Sequence, residues 1–155
     1  MTEDTTLIRE VAVSYRGARR RVASPLRAPA DAAAFVRSTV ADDAREHFLA
    51  IYLDGRHRPI GYQVVSVGTA TASLIHPREI FQPAIGIGAV AMIVAHNHPS
   101  QDPSPSAEDR TVTTRLAKAG QLLGIRLLDH LVVTTDRFVS LCEESPDLFD
   151  PSTAS

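Results

Sequence analysis

Two histidines one residue apart, in the stretch AHNHPSQDPSPSAED at positions 95–109, have the residue type and spacing of metal ligands. They follow the longest wholly apolar run of the chain, residues 89–95. Because successive side chains of a strand point to opposite faces, His96 and His98 at a strand end would share one face. Two imidazoles on one face are a common start of a zinc site, but a third ligand must come from another element.

Asp109 is the candidate third ligand, and Ser106 precedes it by three residues. Asp109 falls in the first turn of a helix predicted over 107–124, from which its carboxylate could reach a metal held by both histidines. Three protein ligands and one open position are typical of a catalytic zinc, which lowers the pKa of water and polarises a carbonyl. Taken alone, the S-x-x-D spacing is more typical of a helix-capping box, and its position after an H-x-H that ends a buried strand favours the metal site. The two roles of Ser106 are compatible.

A zinc hydrolase also needs a carboxylate that moves protons without binding the metal. The sequence contains no H-E-x-x-H, and its one cysteine, Cys142, excludes the H-x-E…C-x-x-C pattern of zinc deaminases. Glu46 directly precedes the apolar strand predicted over 47–53. It is the best-placed general base if that strand lies beside the strand predicted over 88–95.

The elements that must position these residues alternate between strands and helices. Pro83 is expected to kink or end the second helix. The pattern predicts one α/β (α+β) domain, residues 1–142, with a mixed sheet flanked by about three helices, followed by an acidic tail, 143–155, that is expected to be flexible. The predicted strands are 7–15, 47–53, 60–68, 88–95, 125–133 and 137–142, with a short extended piece at 68–75, and the predicted helices are 29–44, 76–85 and 107–124.

Composition narrows the classes of protein. A net charge of −2 argues against a dedicated nucleic-acid binder. The arginine cluster at 16–21 either contacts DNA or is a solvated connection. The acidic N-terminus has no apolar segment typical of a signal peptide, and the run at 89–95 is too short to cross a bilayer. We therefore expect a cytoplasmic protein without membrane association.

The string H-x-H, seven residues, S-x-x-D, formed by His96, His98, Ser106 and Asp109, resembles the JAMM motif of the MPN (JAB) metallopeptidases. The blocks GTATASLIHPREIF, AHNHPSQDPSPSAED and LAKAGQLLGIRLLDHLVV resemble the RadC-type branch of that family, over about residues 7–142. The resemblance implies a single MPN/JAB-like domain, a cytidine-deaminase-like sandwich. It also implies zinc bound by His96, His98 and Asp109, with Glu46 as general base and Ser106 as the hydroxyl that stabilises the oxyanion.

Two features depart from that branch. Longer RadC-type proteins carry an N-terminal helix-hairpin-helix domain, a DNA-binding module for which this chain has no room, so a DNA role inferred from them is weakened. Gln101 stands where the loop commonly has glycine, which would stiffen the loop or change access to the metal. His76 and Arg78 are either substrate contacts or part of a helix N-terminus, and Asp129 or His130 either supports a ligand or is a satisfied buried group.

Three functions remain in competition. The leading one is a zinc-dependent hydrolase that cleaves a peptide or isopeptide bond of a peptide or protein substrate. The alternative is a nucleic-acid-associated protein of DNA repair or mobile elements, in which the metal site is non-catalytic. The third is a pure interaction module, against which the complete ligand set argues.

Overall fold

The computed structural model describes residues 10–17, 19, 21–22, 25–40, 44–68, 75–150 and 152. Their strands form one sheet in the order β2-β1-β3-β4-β5. Strands β3 and β4 are parallel, and the other neighbours are antiparallel, so the predicted mixed sheet is confirmed. The strands are β1 (His47–Leu53), β2 (Pro59–Val67), β3 (Ala91–Asn97), β4 (Arg126–Val133) and β5 (Phe138–Ser140). The helices are α1 (Pro29–Thr39), α2 (Pro77–Gly86), α3 (Ala107–Leu123), α4 (Leu141–Glu144) and a 3-10 helix (Pro146–Phe149).

The sheet is covered on both faces, and β3 lies at its centre. Met92 and Val94 pack with residues of α2 and α3, whereas Ile93 and Ala95 pack with residues of α1. All seven residues of β3 are buried. This two-sided burial is the reason that the strand reads as a continuous apolar run rather than an alternating one. In the part of the chain that the structure describes, no helix has the length and apolar character needed to cross a membrane.

The central strand begins three residues later than predicted. Gly88 has a φ of 72°, a left-handed conformation that glycine adopts without a steric penalty, and the chain turns there before it enters β3. At its other end the strand extends to Asn97, two residues beyond the predicted end. His96 therefore lies inside the sheet, and His98 is the first residue beyond it.

The strand predicted over 7–15 is wrong for the residues that the structure describes. Residues 10–16 form neither strand nor helix. Val11 and Val13 keep 87% and 58% of their surface exposed, and within the described ranges no strand pairs with this segment. The part at 7–9 lies outside the described residues, as does most of the extended piece predicted at 68–75.

Two helix predictions need correction. The helix predicted over 29–44 ends at Thr39, and the two aspartates predicted to mark its end, Asp42 and Asp43, lie outside the described residues. Pro83 does not end α2, which continues to Gly86, and the alternative of a kink there stays a prediction. A proline there removes one backbone hydrogen bond, but Ile80 and Ala84 on either side of it are buried in the core, and this packing holds the helix together.

The remaining elements match their predicted types. Helix α3 ends at Gly124, whose φ of 70° provides the expected left-handed stop. The predicted β4–β5 hairpin is present, but residues from Leu141 onward turn into α4. Within the predicted tail, the 3-10 helix follows α4, and Phe149 packs against the core. The domain boundary at residue 142 stays a prediction.

Candidate metal centre

His96 is held rigidly by the middle of the sheet. It has no exposed surface. On the neighbouring strand β1, Phe48 pairs with it in register, and the two rings are stacked with centroids 5.9 Å apart and an interplanar angle of 7°. The position of this imidazole is therefore determined by backbone pairing and by packing against an aromatic ring.

Asp109 reaches His96 from the first turn of α3, and a capping box orients its carboxylate. Ser106 Oγ accepts a hydrogen bond from the backbone N–H of Asp109, and Ser106 N–H donates to Asp109 Oδ2 over 2.7 Å. These bonds confirm the capping interpretation of S-x-x-D. The second carboxylate oxygen, Oδ1, lies 3.3 Å from His96 Nε2.

A hydrogen-bond chain behind His96 determines which of its nitrogens carries the proton. Thr113 Oγ1 lies 2.6 Å from the backbone carbonyl of Asp109, so its only proton is donated there. Thr113 must then accept from His130 Nδ1, at 2.7 Å. His130 Nε2 is consequently an acceptor, and His96 Nδ1–H donates to it over 2.9 Å. The lone pair of His96 is therefore on Nε2, facing Asp109.

His98 is oriented in the same sense by the loop that follows β3. Its Nδ1 lies 2.7 Å from the backbone carbonyl of Asp102 and must donate to it. The lone pair of His98 is thus on Nε2, which is 3.0 Å from His96 Nε2 and 3.7 Å from Asp109 Oδ2. The His98 side chain keeps 19% of its surface exposed, so the cluster is open on this side.

When both imidazoles are neutral, three lone pairs therefore converge with no donor among them. The ligand atoms of His96, His98 and Asp109 all lie within 4.8 Å of one another. Such an arrangement is repulsive unless a cation lies between the acceptors. Two imidazole nitrogens and one carboxylate oxygen are a donor set that suits zinc, whereas calcium and magnesium prefer oxygen ligands throughout. The fold thus brings the three predicted ligands together, and their side chains fit a transition-metal ion.

The pKa values agree with a site built for a cation. Burial by itself would raise the pKa of Asp109, but its contacts with His96 and His98 outweigh burial and hold that pKa far below the ordinary range. The contact with Asp109 raises the pKa of His98 against the opposing effect of partial burial. Complete burial lowers the pKa of His130 well below its usual value, so this ring is neutral, as the hydrogen-bond chain requires.

A β-bulge places His130 on the correct face of the sheet. The pairing of β3 with β4 shifts register between Met92 and Ile93, which pair with Leu127 and Asp129. One extra residue in β4 changes which side chains point to the α3 face, and His130, not Asp129, lies behind His96. Sequence reasoning left the role of His130 open and missed Thr113 altogether. The one available signal was that Thr113 follows Asp109 by four residues and so shares its helix face.

Glu46 lies near enough to the cluster for its charge to act on His98. The β1–β3 register ends at the pair of Phe48 and His96, and Glu46 and His98 each lie two residues beyond that pair. The backbone carbonyl of Glu46 accepts from Gly68 N–H, which fixes the chain just before β1. Its side chain is half-buried, and its charge adds to the factors that raise the pKa of His98. The prediction that β1 lies beside the central strand is confirmed.

Gln101 adopts the conformation that a glycine would favour. Its φ is 65°, in the left-handed region. Its side-chain Oε1 accepts from Thr135 N–H, and its backbone carbonyl accepts from the Arg137 side chain. The loop after His98 is thereby attached to the turn between β4 and β5.

The other residues singled out from the sequence have structural partners. His76 caps α2 by accepting from Arg78 N–H. Asp129 accepts from Ser140 Oγ and from Cys142 N–H, which holds β5 and the start of α4. The arginine cluster at 16–21 lies partly outside the described residues, and contact with DNA through it stays a prediction.

Comparison with known proteins identifies the family. Residues 26–146 match a family model described as "RadC-like JAB domain". UPF0758 proteins of Geobacillus sp. (strain WCH70) and Methanosarcina acetivorans are 45% and 42% identical over 119 and 116 residues, 77% and 75% of this chain but 53% and 51% of theirs. One from Desulforudis audaxviator is 41% identical over 138 residues, 85% of this chain and 60% of its own. The chain thus spans about half the length of these relatives, and it belongs to the RadC-like JAB domain family.

Proposed function

We propose that this protein is a zinc-dependent hydrolase that cleaves an amide bond, in a peptide or isopeptide linkage. The observation that carries the proposal is the convergence of three ligand atoms, from His96, His98 and Asp109, at a position that is open on the His98 side. Three protein ligands with one open position favour catalysis over a purely structural metal site.

Zinc, when bound by these three residues, supplies a Lewis acid that lowers the pKa of water and polarises a carbonyl group. The chain's own residues would supply the rest of the chemistry. The rigid placement of His96 by β1 and β3 sets the geometry, and the capping box keeps the Asp109 carboxylate directed at the histidines. Neither ligand side chain would have to reorganise during the reaction, which is how positioned groups contribute to rate.

Glu46 is proposed as the general base. It takes a proton from the attacking water and delivers it to the leaving nitrogen, so the proton is conserved over the reaction. Its place just before β1, beside the central strand, and the effect of its charge on His98 support this role. Ser106 is proposed to donate its hydroxyl proton to the oxyanion, because its Oγ already accepts from Asp109 N–H and keeps that proton available.

The test is turnover by the zinc-loaded protein with and without the Glu46 carboxylate. The probes are a degenerate peptide library and a set of peptides joined through lysine ε-amide bonds, with products identified by mass spectrometry. We expect cleavage by the wild type. We expect a loss of about 100-fold or more in Glu46→Gln with zinc content unchanged, because a positioned general base contributes about that much.

Glu108→Gln is the matched control, since Glu108 is an exposed carboxylate in the first turn of α3 and is not one of the three candidate ligands. It should cleave at the wild-type rate. Equal turnover by wild type and Glu46→Gln would remove Glu46 from the mechanism. Absence of cleavage of either probe by a fully zinc-loaded wild type would contradict amide hydrolysis as the function.

A further inference from the structure

Asn97 stands between two of the candidate ligands, His96 and His98, at the end of β3. Only 6% of its surface is exposed. Its backbone is fixed by β4, because Asn97 pairs with Val133 in the β3–β4 register and the N–H of the following His98 donates to the Val133 carbonyl. The side chain of Asn97 therefore starts from a rigid part of the sheet.

The side-chain amide of Asn97 crosses to the segment that carries Glu46. Its Oδ1 accepts from His47 N–H over 2.7 Å, and its Nδ2 donates to the carbonyl of Arg45 over 2.9 Å. These partners are the residues directly after and directly before Glu46. The orientation of the amide is determined, because a backbone N–H can only donate and a carbonyl can only accept.

The backbone pairing with β3 does not extend to Glu46. The β1–β3 register ends at Phe48, and residues 44–46 are neither strand nor helix. A side-chain amide has the same donor and acceptor as a peptide group, so Asn97 continues the hydrogen bonding of β3 past the last backbone pair. On the β2 side, Gly68 N–H donates to the Glu46 carbonyl. The chain around Glu46 is thus held from both neighbouring strands.

We propose that Asn97 is a positioning residue, which holds the backbone on either side of Glu46 so that the Glu46 carboxylate keeps a fixed place relative to the metal centre. The inference rests on the proposed function, in which Glu46 is the general base. Asn97 joins the strand end that carries both histidines to the segment that carries the base. A misplacement of about 1 Å can cost an enzyme about 100-fold in rate, so the loss of this connection should be visible in turnover.

Asn97→Leu tests the proposal, because leucine has nearly the shape of asparagine but neither donates nor accepts a hydrogen bond. With a peptide that the wild type cleaves, kcat should fall by about 10- to 100-fold. KM should stay unchanged, since the lost hydrogen bonds lie within the protein. Asn97→Ser is the second variant, in case leucine is not tolerated in this buried position. Its hydroxyl is too short to bridge both backbone groups, and it should show the same loss.

Two measurements on Asn97→Leu do not depend on turnover. Zinc affinity, from chelator competition, should equal that of the wild type, because the hydrogen bonds that orient the two imidazoles, to His130 and to the Asp102 carbonyl, are kept. The His47 amide hydrogen, which loses its acceptor, should exchange with solvent about tenfold faster. Thermal unfolding establishes that the fold survives.

The double variant Glu46→Gln/Asn97→Leu distinguishes positioning of the base from general support of the fold. If Asn97 acts through the Glu46 carboxylate, its replacement costs nothing further once that carboxylate is gone. The double variant should then cleave at the rate of Glu46→Gln alone. If Asn97 only supports the fold, the two losses should multiply.

The matched control is Thr134→Val, which replaces a buried side chain by one of the same shape. Like Asn97, Thr134 makes two hydrogen bonds to backbone groups, but both are to Arg137, beyond the end of β4. This variant also loses two side-chain hydrogen bonds near the end of the sheet. It should keep the wild-type kcat and the wild-type exchange rate of the His47 amide.

The outcomes separate the two proposals. If the zinc-loaded wild type cleaves no probe, or if Glu46→Gln cleaves as fast as the wild type, the proposed function of Glu46 and the role of Asn97 are both overturned. If Glu46→Gln is slow but the Asn97 variants keep the wild-type kcat, or if the losses multiply in the double variant, the positioning role alone is refuted. Unchanged exchange of the His47 amide in Asn97→Leu would also refute it.

Discussion

Replacing His130 should weaken zinc binding although this residue touches no metal. In His130→Leu, the Nδ1–H of His96 loses its acceptor inside the sheet. The His96 ring then has two unfavourable tautomers. It keeps the Nδ1–H tautomer with a buried, unsatisfied donor, or it moves the proton to Nε2 and loses the lone pair that faces Asp109. Either choice lowers the affinity for a metal ion.

The size of the effect follows from the burial of the pair. His96 and His130 have no exposed surface, so water cannot replace the lost acceptor. An unsatisfied buried donor costs about 1–3 kcal/mol, and about 1.4 kcal/mol corresponds to a tenfold change in a dissociation constant. We therefore expect zinc affinity to fall by a factor of about 10 to 100, the range found when partners of metal-binding histidines are removed.

Competition with a chromophoric chelator measures this affinity, and thermal unfolding shows whether the fold is retained. His130→Gln can place an amide oxygen near the position of Nε2 and should recover part of the loss. His57→Gln changes an exposed histidine in the β1–β2 turn and should leave zinc affinity unaltered. A folded His130→Leu protein that binds zinc as tightly as the wild type would refute the proposed hydrogen-bond chain.

Three further predictions concern the same region. The contact with Asp109 raises the pKa of His98 above its ordinary 6.5, so below that raised pKa His98 must lose a proton before it binds zinc. Zinc affinity, measured by chelator competition, should therefore fall about tenfold per pH unit below the raised pKa. Constant zinc affinity from pH 8 to 5 would contradict this prediction. Gln101→Gly and Gln101→Ala both lose the side-chain hydrogen bond to Thr135, but only alanine keeps a Cβ atom at a φ of 65°. The glycine variant should therefore have the higher melting temperature. A higher melting temperature of the alanine variant would show that the loop is unstrained. Ser106→Ala should lower the free energy of unfolding by about 1 kcal/mol through loss of the cap, measured by denaturant unfolding. Zinc content should be unchanged, because the Ser106 backbone N–H still donates to Asp109. Loss of zinc from this variant would show that the Ser106 hydroxyl holds the site.

The three predicted ligands came together because their placement depends on local rules. The two-residue period of a strand puts His96 and His98 on one face. The capping preference at a helix start puts Asp109 in the first turn of α3. These signals lie within the fourteen residues from His96 to Asp109. Beyond these local signals, the prediction required only that β3 lead directly into the loop before α3.

The hydrogen-bond chain behind the site could not be read in the same way. His130 faces His96 because a bulge in β4 shifts the pairing with β3, and nothing in the local pattern of LLDHLVV marks the extra residue. The alternating segment at 10–16 shows the opposite problem. Its pattern is typical of a strand, but no strand of the described residues pairs with it, and strand propensity depends on such pairing.

Pro83 illustrates how tertiary packing overrides a local rule. The loss of one hydrogen bond should disfavour a helix across it, but the residues on both sides are buried against the sheet and α3. A cavity of about 220 Å³ that His98 helps to line could not be predicted from the sequence either. It is formed by α1, β3 and the β4–β5 turn, which are distant along the chain.

The most direct test of the central claim is the metal content of protein purified without added metal, measured by mass spectrometry of the elements. The wild type should contain about one zinc per chain, and the zinc should be lost in His96→Ala/His98→Ala. The single variant His98→Ala, which alters a partly exposed side chain, checks that the loss does not come from unfolding. Wild-type protein that binds no metal even after zinc is supplied would contradict the assignment of this cluster as a metal centre.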